Sequence, residues 1–189
     1  MRTATDTPDR TKPARVFFAL WPDAGTARRL DDLAAHTHAS CNGRRMRRDT
    51  FHLTLAFIGD IPRERVVDLI TAGDRIPAAA FVLKMDRIAT WRHNRIVWAG
   101  AREVPEALAD LVARLNVVLV EAGFPVEQRK FAAHVTLLRN ARADLASDEI
   151  DPPIDWQVGG FALVESDRRE DGAHYKLLKV WTADSPLKD

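Results

Sequence analysis

The tetrapeptide His-Leu-Thr-Leu at 52–55 returns as His-Val-Thr-Leu at 134–137. Each copy lies in an apolar run, FHLTLAF (51–57) and AHVTLLR (133–139), that reads as a β-strand. Side chains alternate along a strand, so residues two apart share a face. His52 therefore projects with Thr54, while Leu53, Leu55 and Phe57 are expected to point into a core. In the second copy His134 and Thr136 share one face and Val135 and Leu137 the other. A chain that twice sets an imidazole beside a hydroxyl on an otherwise buried strand must fold so that both strands keep one polar face, which suggests one site built from two halves.

The surroundings of the two copies repeat as well. RVFFALW (15–21) reads as a buried strand, and a helix is expected over residues 24–35 with Asp23 as its N-cap. A basic, turn-prone loop (41–50) leads into the first motif strand, which Gly59-Asp60 should close. A second helix should begin at Pro62 and a strand should follow at 81–91. The order then recurs: a strand at RIVWAG (95–100), then a helix opened by Pro105 and capped by Gly123, with Leu108, Leu111, Val112, Leu115, Val118 and Leu119 on one face. Phe17 precedes His52 by 35 residues and Val97 precedes His134 by 37. That is an internal duplication of a strand, a helix and a motif strand. Two further strands, near 157–165 and 174–181, are expected to complete the sheet of the second half.

Composition narrows what such a chain can do. At 189 residues it fits one domain, or two small lobes sharing a core. With 28 basic and 27 acidic residues the net charge is +1, so contact with a polyanion has to come from a local cluster. Cys41 is the only cysteine, which excludes an intramolecular disulfide framework and a Cys-rich zinc site. No run approaches a spanning helix, and the opening MRTATDTPDRTKPA lacks the apolar segment of a secretory signal. The expectation is a mobile tail at residues 1–14, a single bilobal domain over 15–189, a cytoplasmic setting without membrane contact, and a monomer.

Two imidazoles facing one cleft suit a reaction that needs a base and an acid together, since the ordinary histidine pKa is about 6.5. In-line displacement at phosphorus is such a reaction. Thr54 and Thr136 would hydrogen-bond the non-bridging oxygens, and Arg139 would neutralise phosphate charge. The near-symmetry of the motifs leaves open which histidine is acid and which is base. A zinc site lacks its third and fourth ligands at any familiar spacing, and threonine is a poor zinc ligand, so neither a metal nor another cofactor is expected. His36, His38, His93 and His174 lack the strand context and read as surface residues, His93 within the basic turn WRHNR (91–95). No Gly-x-Ser-x-Gly elbow is present.

The paired motif, with RVFFALWP, RIVWAG and HVTLLR, resembles the 2H phosphoesterase superfamily, and within it the bacterial and archaeal RNA 2′,3′-cyclic phosphodiesterases once described as 2′-5′ RNA ligases. The likeness runs from about Arg15 to Trp181. It implies a bilobal α+β fold whose two pseudo-symmetric lobes line a central groove with antiparallel sheets and carry helices outside. It further implies metal-independent opening of 2′,3′-cyclic phosphates on RNA ends or nucleotides to 2′-phosphomonoesters. By the same resemblance His52 matches the proton donor, His134 the proton acceptor, and Arg139 a phosphate-contacting arginine. Ala133 stands where relatives commonly have proline, which bears on local rigidity rather than chemistry. Ligation through a 2′-5′ linkage uses the same acid and base in reverse, and a noncatalytic RNA-binding module is a third possibility.

Overall fold

The computed structural model describes residues 12–127, 129–145, 148–169 and 172–183. Residues 1–11 of the expected tail lie outside them. Its last residue does not belong to a tail: Ala14 is fully buried and opens β1 (Ala14–Leu20), paired with Ile61. There follow α1 (Ala24–Cys41), β2 (Arg44–Arg45), a 3-10 turn (Arg48–Thr50), β3 (Leu53–Ile61), a second 3-10 turn (Arg63–Arg65) and α2 (Val66–Asp74). The chain continues through β4 (Phe81–Trp91), β5 (Ile96–Gly100), α3 (Glu106–Glu121), β6 (His134–Arg139), β7 (Asp148–Val158), β8 (Gly160–Arg169) and β9 (Gly172–Thr182).

The strands form two antiparallel sheets, ordered β3-β1-β8-β9 and β2-β6-β5-β4-β7. Omitting β2, the two orders match strand for strand, so β3 corresponds to β6 and β1 to β5. This is the α+β architecture with two pseudo-symmetric sheets that the resemblance implied. One expectation fails: β8 and β9 do not complete the second sheet but join the first, where β8 pairs with β1. The partner of β5 is β4, which precedes it in the chain, whereas the partner of β1 comes from the far end of the chain. Local spacing carries no information about such a long-range pairing.

Strand β7 lies outside the expected strands and contains Pro152 and Pro153. It is an edge strand, where a missing N–H is tolerated, and its register against β4 slips at the prolines from Glu149↔Arg87 to Ile154↔Met85. Helix α1 runs beyond residue 35 to Cys41. Its Asp23 cap accepts from the N–H groups of Gly25 and Thr26 at 2.7 and 3.0 Å. The first motif strand does not close at Gly59-Asp60 either: Gly59, at φ +90, lets β3 run through to Ile61. Helix α3 ends as expected at Gly123 (φ +74), where Gly123 N donates to Val120 O and Phe124 N to Leu119 O, satisfying carbonyls of the last turn.

Each repeat sends its helix to the other repeat's sheet. Helix α1, leaving β1, packs on β6 and β7 and is tied there by Arg29, whose Nη2 donates to Pro152 O and Pro153 O at 3.1 and 2.9 Å. Helix α3, leaving β5, packs on β3 and α2, and Arg65 Nη2 donates to Ala122 O at 2.8 Å. One contiguous apolar cluster accordingly draws on both sheets and the helices, including Phe18, Leu30, Leu53, Leu83, Leu115 and Leu137. On the opposite face of the first sheet, Phe17, Ala19, Ala162 and Val164 form a second, smaller cluster with Trp21 and Tyr175 against it. The unbroken apolar run of β1 follows from this, since both its faces are covered.

Candidate active site

His52 enters β3 directly after the 3-10 turn, and its Nδ1 lies 2.8 Å from Thr50 O. His134 opens β6 with its Nδ1 2.8 Å from Ala132 O. Both contacts reach the carbonyl two residues back. A carbonyl only accepts, so each Nδ1 carries the hydrogen, and Nε2 is the nitrogen left to exchange a proton. The two copies of the motif thus hold their imidazoles by one local device.

The faces of both strands depart from simple alternation at the same place. Phe18 pairs with Ala56 and Ala19 with Thr54, so Leu55 is an extra residue in β3. Val97 pairs with Leu138 and Trp98 with Thr136, so Leu137 is an extra residue in β6. Each bulge falls three positions after its histidine, and each inverts the alternation beyond it. Phe57, expected in the core, is consequently 43% exposed on the face of His52 and Thr54. Arg139, five positions after His134 as Phe57 is after His52, reaches the polar face by the same inversion. The shared offset was visible in the two motif runs, but nothing in them marks a bulge.

Two adjoining cavities meet between the histidines. One, of about 500 Å³, is lined by His52, and the other, of about 730 Å³, by His134. Thr54, Phe57 and Arg139 line both and form their common wall. Thr136 is half-buried on the groove face of β6 but lines neither cavity. The His52 cavity also carries Arg15, Arg44 and Arg47 and, among the described residues, has no acidic residue in its wall. This is the local basic cluster that a net charge of +1 concealed. His93, at the exposed β4–β5 turn, lines the His134 cavity with Asn94, while His36 is exposed and His38 is held by a 3.1 Å contact from Nε2 to Gly43 O.

Aromatic rings enclose both imidazoles. Trp21 stacks on His52 at 5.5 Å and 8° between planes, with Phe17 and Tyr175 at 4.9 and 5.0 Å. Trp91 meets His134 edge-on at 4.4 Å. Burial is the largest cause that pushes His52 down from 6.5 to about 4. The hydrogen bond to Thr50 O opposes it, and the positive charges of Arg139 and His134 add to it. His134 is pushed down as well, by burial first and by Arg139, against its bond to Ala132 O. A phosphate anion between the rings would act in the opposite direction and favour their protonation. The aromatic enclosure was not foreseen: the rings of Trp21, Phe17 and Tyr175 come from β1, the segment after it, and β9. Among the described residues no three His, Cys, Asp or Glu side chains gather as a metal ion requires.

Comparison with known proteins finds relatives over most of the chain. A curated relative, the RNA 2′,3′-cyclic phosphodiesterase of Escherichia coli (strain K12), is 32% identical over 174 residues, covering 90% of this chain and 97% of the relative. The RNA 2′,3′-cyclic phosphodiesterase of Thermus thermophilus is 28% identical over 69% of this chain and 71% of its own. The crystal structure of E. coli LigT complexed with 3′-AMP superposes with a TM-score of 0.84 at 29% identity, covering 92% of this chain and all of the other. The family model described as LigT like phosphoesterase matches residues 20–98 and 100–175, spans that contain both motif strands. With the duplicated histidine strands and the matched sheet orders already in view, this chain belongs to the LigT-like phosphoesterase family.

Proposed function

We propose that this protein is an RNA 2′,3′-cyclic phosphodiesterase that opens the cyclic phosphate to a 2′-phosphomonoester without a metal. In the proposed reaction water attacks phosphorus in line with the P–O3′ bond. His134 Nε2 takes a proton from the water as the P–O bond forms. His52 Nε2 gives its proton to O3′ as that bond breaks, and the product keeps its phosphate on O2′. Thr54 and Thr136 donate hydrogen bonds to the non-bridging oxygens, and Arg139 offsets the charge that develops there. The resemblance, rather than the symmetry of the site, assigns acid and base. The substrate's own anion is what loads the acid, because the free site holds His52 neutral down to about pH 4.

The observation that carries this reading is the pair of imidazoles, each clamped at Nδ1, in adjoining cavities with Arg139 in their common wall. The curated relatives are named for this activity, and E. coli LigT was crystallised with 3′-AMP, which supports a ribose phosphate as ligand here. No described helix is long and apolar enough to cross a membrane. We place the enzyme in the cytoplasm, acting on RNA ends, as one bilobal domain that begins at Ala14. The test is incubation with an RNA ending in a 2′,3′-cyclic phosphate, in EDTA, with identification of the product. A 2′-phosphate end is expected. Exclusive formation of a 3′-phosphate, or activity that disappears in EDTA and returns with a divalent metal, would overturn the proposal.

A further inference from the structure

Arg44 sits in register with Arg139 across the β2–β6 ladder. Residues directly opposite on antiparallel strands share a face, and like charges in that position repel. Both arginines line the His52 cavity, and neither side chain has a hydrogen bond or ion pair to another described residue. Arg47 lines the same wall, engaged with Asp49 at 3.2 Å and with Ala173 O at 3.3 Å. The backbone register that sets Arg44 and Arg139 opposite is tightly held. Gly43, at φ +95, lets the loop approach β6 so closely that a Cβ there would lie 2.8 Å from Arg139 O, and Met46 N donates to Leu137 O at 2.9 Å. A pair of arginines held opposite one another, with no side-chain partner and no acidic wall residue among the described residues, suits more than one anion.

The geometry of the reaction says on which side a second anion would lie. In an in-line displacement the attacking water and the leaving O3′ occupy opposite ends of the phosphorus centre. The leaving oxygen stays on the terminal ribose, and that ribose carries the next phosphodiester on its O5′. The proton donor's side is therefore the side from which the RNA chain departs. With His52 as donor, that side is the cavity holding Arg44 and Arg47; the wall of the His134 cavity carries Arg129 and Lys130, with Glu127 ion-paired to Arg129. We propose that Arg44, assisted by Arg47, binds the phosphodiester 5′ to the terminal nucleoside, so that the enzyme selects an RNA end over a mononucleotide. This rests on the cyclic phosphodiesterase reading and adds a second phosphate subsite to it.

The test compares kcat/KM on adenosine 2′,3′-cyclic phosphate with kcat/KM on a trinucleotide ending in 2′,3′-cyclic phosphate, across a series of salt concentrations. Arg44→Ala is exposed and leaves no partner behind, and Arg44→Lys keeps the charge without the planar fork. The ratio of trinucleotide to mononucleotide activity is expected to fall about tenfold in Arg44→Ala, the size of one charge-assisted hydrogen bond, and mainly through KM. The log–log salt slope for the trinucleotide should flatten by about 0.7, the single-strand value for one phosphate contact, and Arg44→Lys should restore it. Equal losses on both substrates, or no loss on either, would defeat the subsite while leaving the activity standing. A wild-type protein that cleaves neither substrate would defeat the activity and the subsite together.

Discussion

Acidifying the free protein should leave His52 neutral long after an ordinary histidine has charged. Its imidazole is held at about 4 against 6.5, by burial under Trp21, Phe17 and Tyr175 first and by the charges of Arg139 and His134 after it. Above pH 6.5 the residue is neutral folded and unfolded, and it adds nothing to the pH dependence of stability. Between 6.5 and about 4 the unfolded chain binds a proton that the folded chain refuses, so stability falls as pH falls. The full loss from this group is about 3 kcal/mol, and it levels off below about pH 4, where both states are protonated. Urea unfolding from pH 8 to 4 should show wild type losing about that much relative to His52→Gln. The Hε1 resonance of His52 should titrate with a midpoint near 4, and sulfate, whose charge is constant over this range, should move the midpoint up and bind more tightly as pH falls. A midpoint at or above 6.5 in the free protein, or a stability difference that does not change with pH, would refute the burial argument.

Four other perturbations discriminate among the parts of the site. Either His52→Ala or His134→Ala should lower turnover by about 10² to 10⁴-fold on a cyclic-phosphate RNA while the circular dichroism spectrum stays native, and near-wild-type turnover would remove that residue from the mechanism. Arg139→Ala should raise KM for the same substrate and shift the His52 midpoint upward, because one of the charges depressing it is gone; an unmoved midpoint would count against their proximity. Trp21→Ala should let water reach His52 and bring its midpoint back toward 6.5, which the same titration reads. Gly43→Ala should cost at least about 1–2 kcal/mol in urea unfolding, since alanine would need a left-handed conformation and its Cβ would press on Arg139 O; a neutral result would show that the loop yields.

Much of the fold was legible because the determinants are local. Asp23 and Gly123 cap helices where their chemistry predicts, the apolar face of α3 is spaced for a helix, and β4 and β5 follow their apolar runs closely. The failures have distinct causes. Strand β7 carries Pro152 and Pro153, which a strand tolerates only at an edge, and edge position is a property of the whole sheet. Phe57 was assigned to the core because alternation was carried past Leu55, where an extra residue inverts it. The affinity of β8 for β1 is set by two edges meeting at the far end of the chain, which no window of sequence contains.

The residues themselves determined the chemistry available to this protein. Two histidines at one offset from two threonines, in strands of one pattern, set each imidazole beside a hydroxyl, because strand periodicity puts each His and Thr on one face. Tertiary structure decided what that site is like. It exchanged the helices between the sheets and brought β9 back across the chain, which set Tyr175 against His52 and lowered its affinity for protons. Through one bulge in each motif strand it turned Phe57 and Arg139 into the groove, and through the β2–β6 pairing it set Arg44 beside Arg139. Burial, strand register and charge proximity depend on contacts between residues distant in the chain, and those exist only once the two sheets have closed on a common core.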